Sequence, residues 1–330
     1  MKKNIPSINN SNDSTQSENY NTQNYRLEFL GKGSEWFGII IINWLLTVIT
    51  LGIYYPWARA KSLRYIYGKT VLNNEHFHFS GTGKEMFLGF IKVVFGYFLL
   101  LILFSIISFL SPILAALVLY LTFFLIIPFA IHGSFKYRMS RTSYRGIRFG
   151  YRGERKKFIL NFLKWLFLTF ITLGIYSFWM EMNIRKYTHE NIRYGDVEFT
   201  NTSNGDEWFG IFIVGYFFTV FSLGIYSFWW RRDIFEYYIN NIGMKKGDQM
   251  VKCYSTATGG GFFKLIVGNL LIIIFSFGLG IAWADMRVQR FWFDHIKMEG
   301  NINFSEISQT EEEYKDAFGD DAMDFFEIEI

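Results

Sequence analysis

The stretch Leu51-Gly-Ile-Tyr-Tyr-Pro-Trp-Ala-Arg-Ala-Lys-Ser-Leu-Arg-Tyr65 decides how the chain is read. An apolar run ends at a glycine, a tryptophan follows, and a basic, aromatic segment begins. The phrase returns as Leu-Gly-Ile-Tyr-Ser-Phe-Trp at 173–179 and at 223–229, and in a shortened form, Leu-Gly-Ile-Ala-Trp, at 279–283. In each of the four copies an aromatic sits eight residues after the tryptophan: Tyr65, Tyr187, Tyr237 and Phe291. Fixed spacing of this kind is the mark of internal repeats.

Upstream of the phrase lie long apolar runs. They cover 36–55, 86–110, 113–131, 158–178, 208–228 and 262–282, with Ser111-Pro112 as a tight turn between the second and third. Several approach or exceed the ~20 residues that cross a bilayer core. The glycine of each Leu-Gly pair (Gly52, Gly174, Gly224, Gly280) suits a helix end, where a left-handed residue stops the helix at little cost. The tryptophans that follow (Trp57, Trp179, Trp229, Trp283) belong at headgroup depth, and the basic-aromatic segments behind them read as interfacial helices.

Composition agrees. Of 330 residues, 51% are hydrophobic, 21% aromatic and 19% charged, the last below the roughly 25% usual in soluble domains. Mean hydropathy is only +0.15 because basic segments alternate with the apolar runs. The formal charge of +4 is too small to point to nucleic acid, and its placement beside apolar runs suits a membrane surface with anionic head groups. Cys253 is the single cysteine, so no intrachain disulfide and no cysteine metal cluster is expected.

Residues 1–24 are Asn/Ser/Thr/Gln-rich and read as a disordered tail. Residues 311–330 carry nine acidic residues against Lys315 and read as an acidic one. Between them, 25–310 reads as one repeat-built transmembrane domain. Short alternating runs that follow turn signals, such as Glu75–Phe79, Asp196–Phe199 and Asn301–Phe304, read as strands or hairpin arms. Glycines with an acidic residue (Glu35, Glu85, Glu207) then open the next helix.

The expected fold is therefore an all-α polytopic membrane protein. It has about six transmembrane helices from five internal repeats, with short β-hairpin arms and interfacial helices. Lysine and arginine tallies favour this topology, because six crossings place nineteen on one side against ten on the other. Single crossings, however, would put successive arms on opposite sides. Re-entrant hairpins bent at Leu-Gly are the alternative, and they keep all arms together.

Chemistry is sparse. Gly81-Thr-Gly-Lys84 and Gly259-Gly-Gly261 fit neither phosphate-loop pattern. His76 and His78 share a strand face but read as surface residues, and His132 ends an apolar run. No catalytic constellation and no cofactor motif is present, so the chain does not read as an enzyme. Among polar groups inside the runs (Asn43, Thr47, Thr169, Asn269 and others) interhelical packing is the plainer reading. The charges that follow the tryptophans, Arg59, Glu181, Asp233, Asp285 and Arg287, are the candidate path or interface residues. Their signs differ between copies. The two function classes in play are a permease-like or channel-like passage for a small solute, and a structural protein that binds or senses the bilayer. A homo-oligomer is left open.

The phrases Leu46-Thr-Val-Ile-Thr-Leu-Gly-Ile-Tyr-Tyr-Pro-Trp-Ala-Arg-Ala-Lys-Ser-Leu-Arg-Tyr-Ile-Tyr-Gly68 and Phe77-His-Phe-Ser-Gly-Thr-Gly83 together resemble the YjgN-like family of bacterial inner-membrane proteins, a domain of unknown function. The resemblance runs from about 26 to 304 and is most specific over 35–83. It implies a multi-pass inner-membrane protein and carries no catalytic residues. The region 128–149 departs from the pattern by lacking Leu-Gly-Ile-Tyr.

Overall fold

The structure, a computed structural model, describes residues 23–310. β1 (Gln23–Phe29) leads into α1 (Gly33–Ile49), a turn, and α2 (Tyr55–Lys69), which runs straight into β2 (Thr70–Leu72). The same order follows in β3 (Glu75–Phe79), α3 (Gly83–Leu110), α4 (Pro112–Ser140) and β4 (Thr142–Tyr144). Next come β5 (Ile147–Tyr151), α5 (Arg155–Ile171), α6 (Ser177–Glu190) and β6 (Ile192–Tyr194). Then β7 (Val197–Asn201), α7 (Gly205–Phe221), α8 (Ser227–Asn240) and β8 (Ile242–Lys246). The last set is β9 (Gln249–Ser255), α9 (Gly259–Phe275), α10 (Ile281–Asp294) and β10 (Ile296–Gly300).

The strands form one closed antiparallel barrel, each beside its neighbours in sequence, with β1 closing on β10 through Gln23↔Gly300 and Tyr25↔Met298. Tight turns link the strand pairs. Asn73-Asn74 and Arg145-Gly146 both take two successive positive φ values, 48° and 67° in the first, 50° and 80° in the second. That geometry matches the twist of a two-residue hairpin.

The barrel interior is filled. Tyr25, Leu72, Tyr144, Tyr194, Val197, Met244, Val251 and Met298 point inward, one or more from most strands. Residues after β10 turn back and seal one mouth with Ile302, Phe304 and Ile307, of which Ile302 is 0% exposed. The tyrosine hydroxyls inside this core all donate to carbonyls: Tyr25 to Ile302 at 2.7 Å, Tyr144 to Leu72 at 2.8 Å and Tyr194 to Tyr144 at 2.9 Å. Burial raises the pKa of all three, as expected for hydroxyls kept from water. Cys253 packs against the same core, and burial pushes its thiol up to about 11.

The helices stand as hairpins around the barrel. α1 packs on α10 and α2, α2 on α3, and so on round to α9 and α10, so the hairpins also close a ring. Each of four hairpins reverses at two left-handed residues. Leu51 and Gly52 have φ of 51° and 92°, Leu173 and Gly174 51° and 94°, and Leu223 and Gly224 51° and 91°. In the fourth they are Phe277 and Gly278, at 52° and 88°.

The all-α fold with about six crossings is therefore overturned. A closed ten-strand barrel organises the chain, and among the described residues two helices, Gly83–Leu110 and Pro112–Ser140, are long and apolar enough to cross a membrane. The runs 36–55, 158–178, 208–228 and 262–282 are each interrupted by the reversal, so each supplies a first helix and the start of a returning one. The charge tally misleads for the same reason, since the basic segments of successive loops all return to one barrel. The arms are strands of that barrel and do not stand apart as hairpins. The strand expected after Gly300 lies before it, and Asn301–Phe304 instead enters the barrel mouth. The tail expectations fall outside the described residues, except that Gln23 and Asn24 already belong to β1.

Candidate functional site

The residues singled out by the repeated phrase meet at the seams between hairpins. Each tryptophan packs on the glycine that opens the next hairpin. A Cβ built on Gly83 would lie 2.3 Å from Trp57 Cδ1, on Gly205 2.2 Å from Trp179 Cδ1, and on Gly259 2.5 Å from Trp229 Cδ1. The last of the series, Trp283, packs in the same way on Gly33 and closes the ring, with a Cβ there 2.3 Å from its ring. Only glycine leaves room for the indole at that distance, which accounts for the glycine at each opening.

The aromatic eight residues on has a different partner, the start of its own hairpin. Tyr65 accepts from the Lys32 amide at 2.9 Å and faces Glu35 at 3.2 Å, while Tyr187 donates to the Glu154 carbonyl at 2.9 Å. Tyr237 accepts from the Asn204 amide at 2.8 Å and donates to its carbonyl at 2.7 Å. Phe291 keeps the position without a hydroxyl, its ring 3.1 Å from where a Gly261 Cβ would stand. Tyr137, in the pair that lacks Leu-Gly-Ile-Tyr, does the same work by donating to Glu85 at 3.2 Å.

The differing signs of the candidate charges follow from what faces them. Glu181 accepts from Trp208 Nε1 at 3.2 Å, and Asp285 accepts from Trp36 Nε1 at 3.2 Å. Both tryptophans are buried in the first turn of the next hairpin and need an acceptor for the indole N–H. Where the residue two places after the tryptophan is basic, Arg59 or Arg231, the next hairpin carries Met86 or Phe262 at the tryptophan's place and offers no donor. Glu181 is also bound by Tyr238 at 2.7 Å, and Arg185 lies 3.6 Å over the Tyr238 ring.

The other candidates are not gathered with these. Asp233 pairs with Arg232 at 2.8 Å and meets the Tyr226 hydroxyl at 3.5 Å, both on its own helix or its edge. The Arg287 guanidinium lies over Gly268 of α9, where a Cβ would be 2.9 Å from Nη2, and Arg59 is exposed on α2. Gly52, Gly174 and Gly224 occupy the reversals as expected. Gly280 does not: its φ is −72°, and it caps α10, while Phe277-Gly278 makes the turn. The fourth phrase is thus full length, because Ser276 to Trp283 spans the same number of residues as Thr50 to Trp57.

Sequence reasoning missed Asn43 and Asn269 as a matched pair. They donate to Ala58 and Ala284 carbonyls, both at 3.2 Å, and lock α1 to α2 and α9 to α10. In α7 the same place is Gly215, against which Trp230 packs, with a Cβ there 2.1 Å from the ring. A fixed seven-residue offset from Trp36, Trp208 and Phe262 was the available signal. Of the histidines, His76 meets the Gly68 carbonyl at 2.8 Å, and His132, buried, meets the Gly153 carbonyl at 2.7 Å. His78 lines a cavity of about 290 Å³ with Ser80, Arg141, Thr142, Ser143 and Arg148.

Comparison with known proteins places these features. A model described as a bacterial protein of unknown function (DUF898) matches residues 24–206 and 230–325, most of the chain. Inner membrane protein YjgN of Salmonella typhimurium is 38% identical over 134 residues, 41% of this chain and 33% of the relative. Inner membrane protein YjgN of Escherichia coli K12 is 35% identical over 130 residues, 39% of this chain and 32% of the relative. The matched stretch spans about a third of the length of these curated relatives, whose names support an inner-membrane location. No solved structure matches the chain. The chain belongs to the bacterial family of unknown function DUF898, and it is similar to the YjgN inner membrane proteins.

Proposed function

We propose that this chain is a structural or interaction protein of the inner membrane: five copies of one hairpin unit that hold a closed barrel at the bilayer surface. The observation that carries this reading is the filled barrel. Tyr25, Tyr144, Tyr194 and Phe304 occupy the axis, and the hydroxyls there are spent on carbonyls. A solute entering the barrel would meet these buried, mutually packed side chains. The candidate charges support the same reading, since Glu181 and Asp285 serve as acceptors at hairpin seams. The partner is the bilayer itself, with anionic head groups met by basic residues near the barrel such as Lys32, Arg64 and Arg138.

Passage of a small solute is the second reading, favoured by the exposed charges Arg59, Arg231, Asp285 and Arg287 on the returning helices. The experiment that separates the two is flux. Proteoliposomes loaded with potassium and a small anionic dye are expected to leak no faster than protein-free vesicles. A leak diminished by Arg59→Gln or Asp233→Asn would overturn the scaffold in favour of a path.

A further inference from the structure

We propose that the four short hairpins are re-entrant, entering the hydrocarbon from the barrel side, ending inside it at Leu51, Leu173, Leu223 and Phe277, and returning, while the α3–α4 pair alone crosses. This rests on the bilayer reading above and adds its geometry.

The tips are apolar and almost wholly uncovered. Leu51, Leu173, Leu223 and Phe277 are 93%, 94%, 95% and 96% exposed. No charged residue lies between Glu35 and Arg59, Lys164 and Glu181, Glu207 and Arg231, or Lys264 and Asp285. Such tips suit hydrocarbon better than water; the α3–α4 tip is apolar too, with Phe109 93% exposed, so helix length is what sets that pair apart.

Every backbone amide of each turn also has an acceptor within the turn, which hydrocarbon demands of donors and water does not. At the first tip the amides of Thr50, Leu51, Gly52, Ile53 and Tyr55 donate to the carbonyls of Leu46, Val48, Thr47, Thr50 and Gly52. The remaining amide, Tyr54, donates to the Thr50 hydroxyl at 3.0 Å. The other turns repeat this pattern in full. Tyr176 donates to the Thr172 hydroxyl at 2.9 Å, Tyr226 to Ser222 at 2.8 Å and Gly280 to Ser276 at 2.6 Å. A hydroxylic residue immediately before the left-handed pair is thus part of the turn, supplying the acceptor that a broken helix lacks.

Length gives the depth. The 17 residues of α1 rise about 25 Å at 1.5 Å each, short of the ~30 Å hydrocarbon thickness. The 28 residues of α3 rise about 42 Å by the same measure, ample to cross. Of the charges that resume on the returning helices, Glu181 and Asp285 face neighbouring helices at Trp208 and Trp36, and Asp233 pairs with Arg232 on its own helix.

Single cysteines introduced as Leu51→Cys, Leu173→Cys, Leu223→Cys and Phe277→Cys, with Asn73→Cys and Arg145→Cys as barrel controls, test this in the full chain reconstituted in phosphatidylethanolamine–phosphatidylglycerol vesicles. The background is Cys253→Ala or, where that variant is not recovered, the wild type, whose half-buried Cys253 sets the blank. Spin labels at the four tips are expected to collide with oxygen and to be shielded from a water-soluble nickel complex on both sides. The control labels collide with nickel from one side. Tip labels that nickel reaches from the side opposite residues 73 and 145 would overturn the proposal while leaving the bilayer reading intact. Failure of the protein to float with the vesicles would overturn both.

Discussion

Trp283, near the end of the described chain, packs its indole on Gly33, near the beginning, in the same way that Trp57 packs on Gly83. The contact closes the helical ring just as the β1–β10 pairing closes the barrel. Closure at both levels means that, among the described residues, no hairpin is left with an unpartnered seam and no strand with a free edge.

The glycines at the seams should tolerate nothing larger. Gly205→Ala places a methyl 2.2 Å from Trp179, and forcing it in should cost about 1–3 kcal/mol by overpacking. Gly210→Ala, which meets nothing within 4 Å, is the control and should leave stability unchanged or slightly raised. Thermal unfolding of both variants in detergent, followed by tryptophan fluorescence, is the measurement.

The carboxylates at the seams act as acceptors. Glu181→Gln keeps an acceptor for the Trp208 indole and should be mild. Glu181→Leu strands that buried N–H and the Tyr238 hydroxyl, at a cost on the order of 1–3 kcal/mol per unmet group. The same contrast is expected for Asp285→Asn against Asp285→Leu, with Trp36 as the reporter.

His189 makes stability depend on pH. Asn201 Oδ1 accepts from the Ser203 amide at 2.9 Å, so its Nδ2 must donate to His189 Nδ1 at 2.8 Å, which requires a neutral ring. Burial, then the Arg185 charge, pushes the ring down to about 4. Above the ordinary histidine range neither the folded nor the unfolded chain binds this proton. As pH falls from about 6.5 towards 4, the unfolded chain takes it up and the folded chain does not, so stability falls. Unfolding temperature should therefore drop across that window, and less steeply in His189→Gln.

The strand arms should share one side of the membrane. Residues 75, 150, 196 and 248 all lie in or beside the single barrel. A cysteine at each position should react with an impermeant maleimide in the same vesicle orientation. Reaction of 196 from the side opposite 75, 150 and 248 would mean that the barrel does not form in the membrane.

The hydroxyls before the turns should matter more than their exposure suggests. Thr172→Val removes the acceptor for the Tyr176 amide and should cost on the order of 1–3 kcal/mol where lipid leaves that donor unmet, whereas Thr172→Ser should be nearly neutral. Comparing unfolding in detergent micelles and in bilayers would show the larger loss where water is scarcer.

The local units were open to reading from the residues alone. The spacing from Trp57 to Tyr65, and its recurrence, marked elements that do recur, because a contact made once with glycine or a cap carbonyl demands the same spacing each time. Apolar runs, turn signals and the membrane setting were equally legible, since they depend on composition and on neighbours a few residues away. What the sequence alone did not decide was the direction of the chain after Leu51. A left-handed leucine-glycine pair ends a helix whether the chain then crosses or turns back, and only the packing of α2 along α1, locked by Asn43 on Ala58, chooses the return. Closure was hidden for a related reason. Pairing Tyr25 with Met298 and seating Trp283 on Gly33 join residues more than two hundred positions apart, and no local pattern encodes so distant a partner. Tertiary structure thus supplied the barrel, the filled axis and the meaning of the opposite charges at Arg59 and Glu181, because each depends on which residue of another hairpin stands opposite.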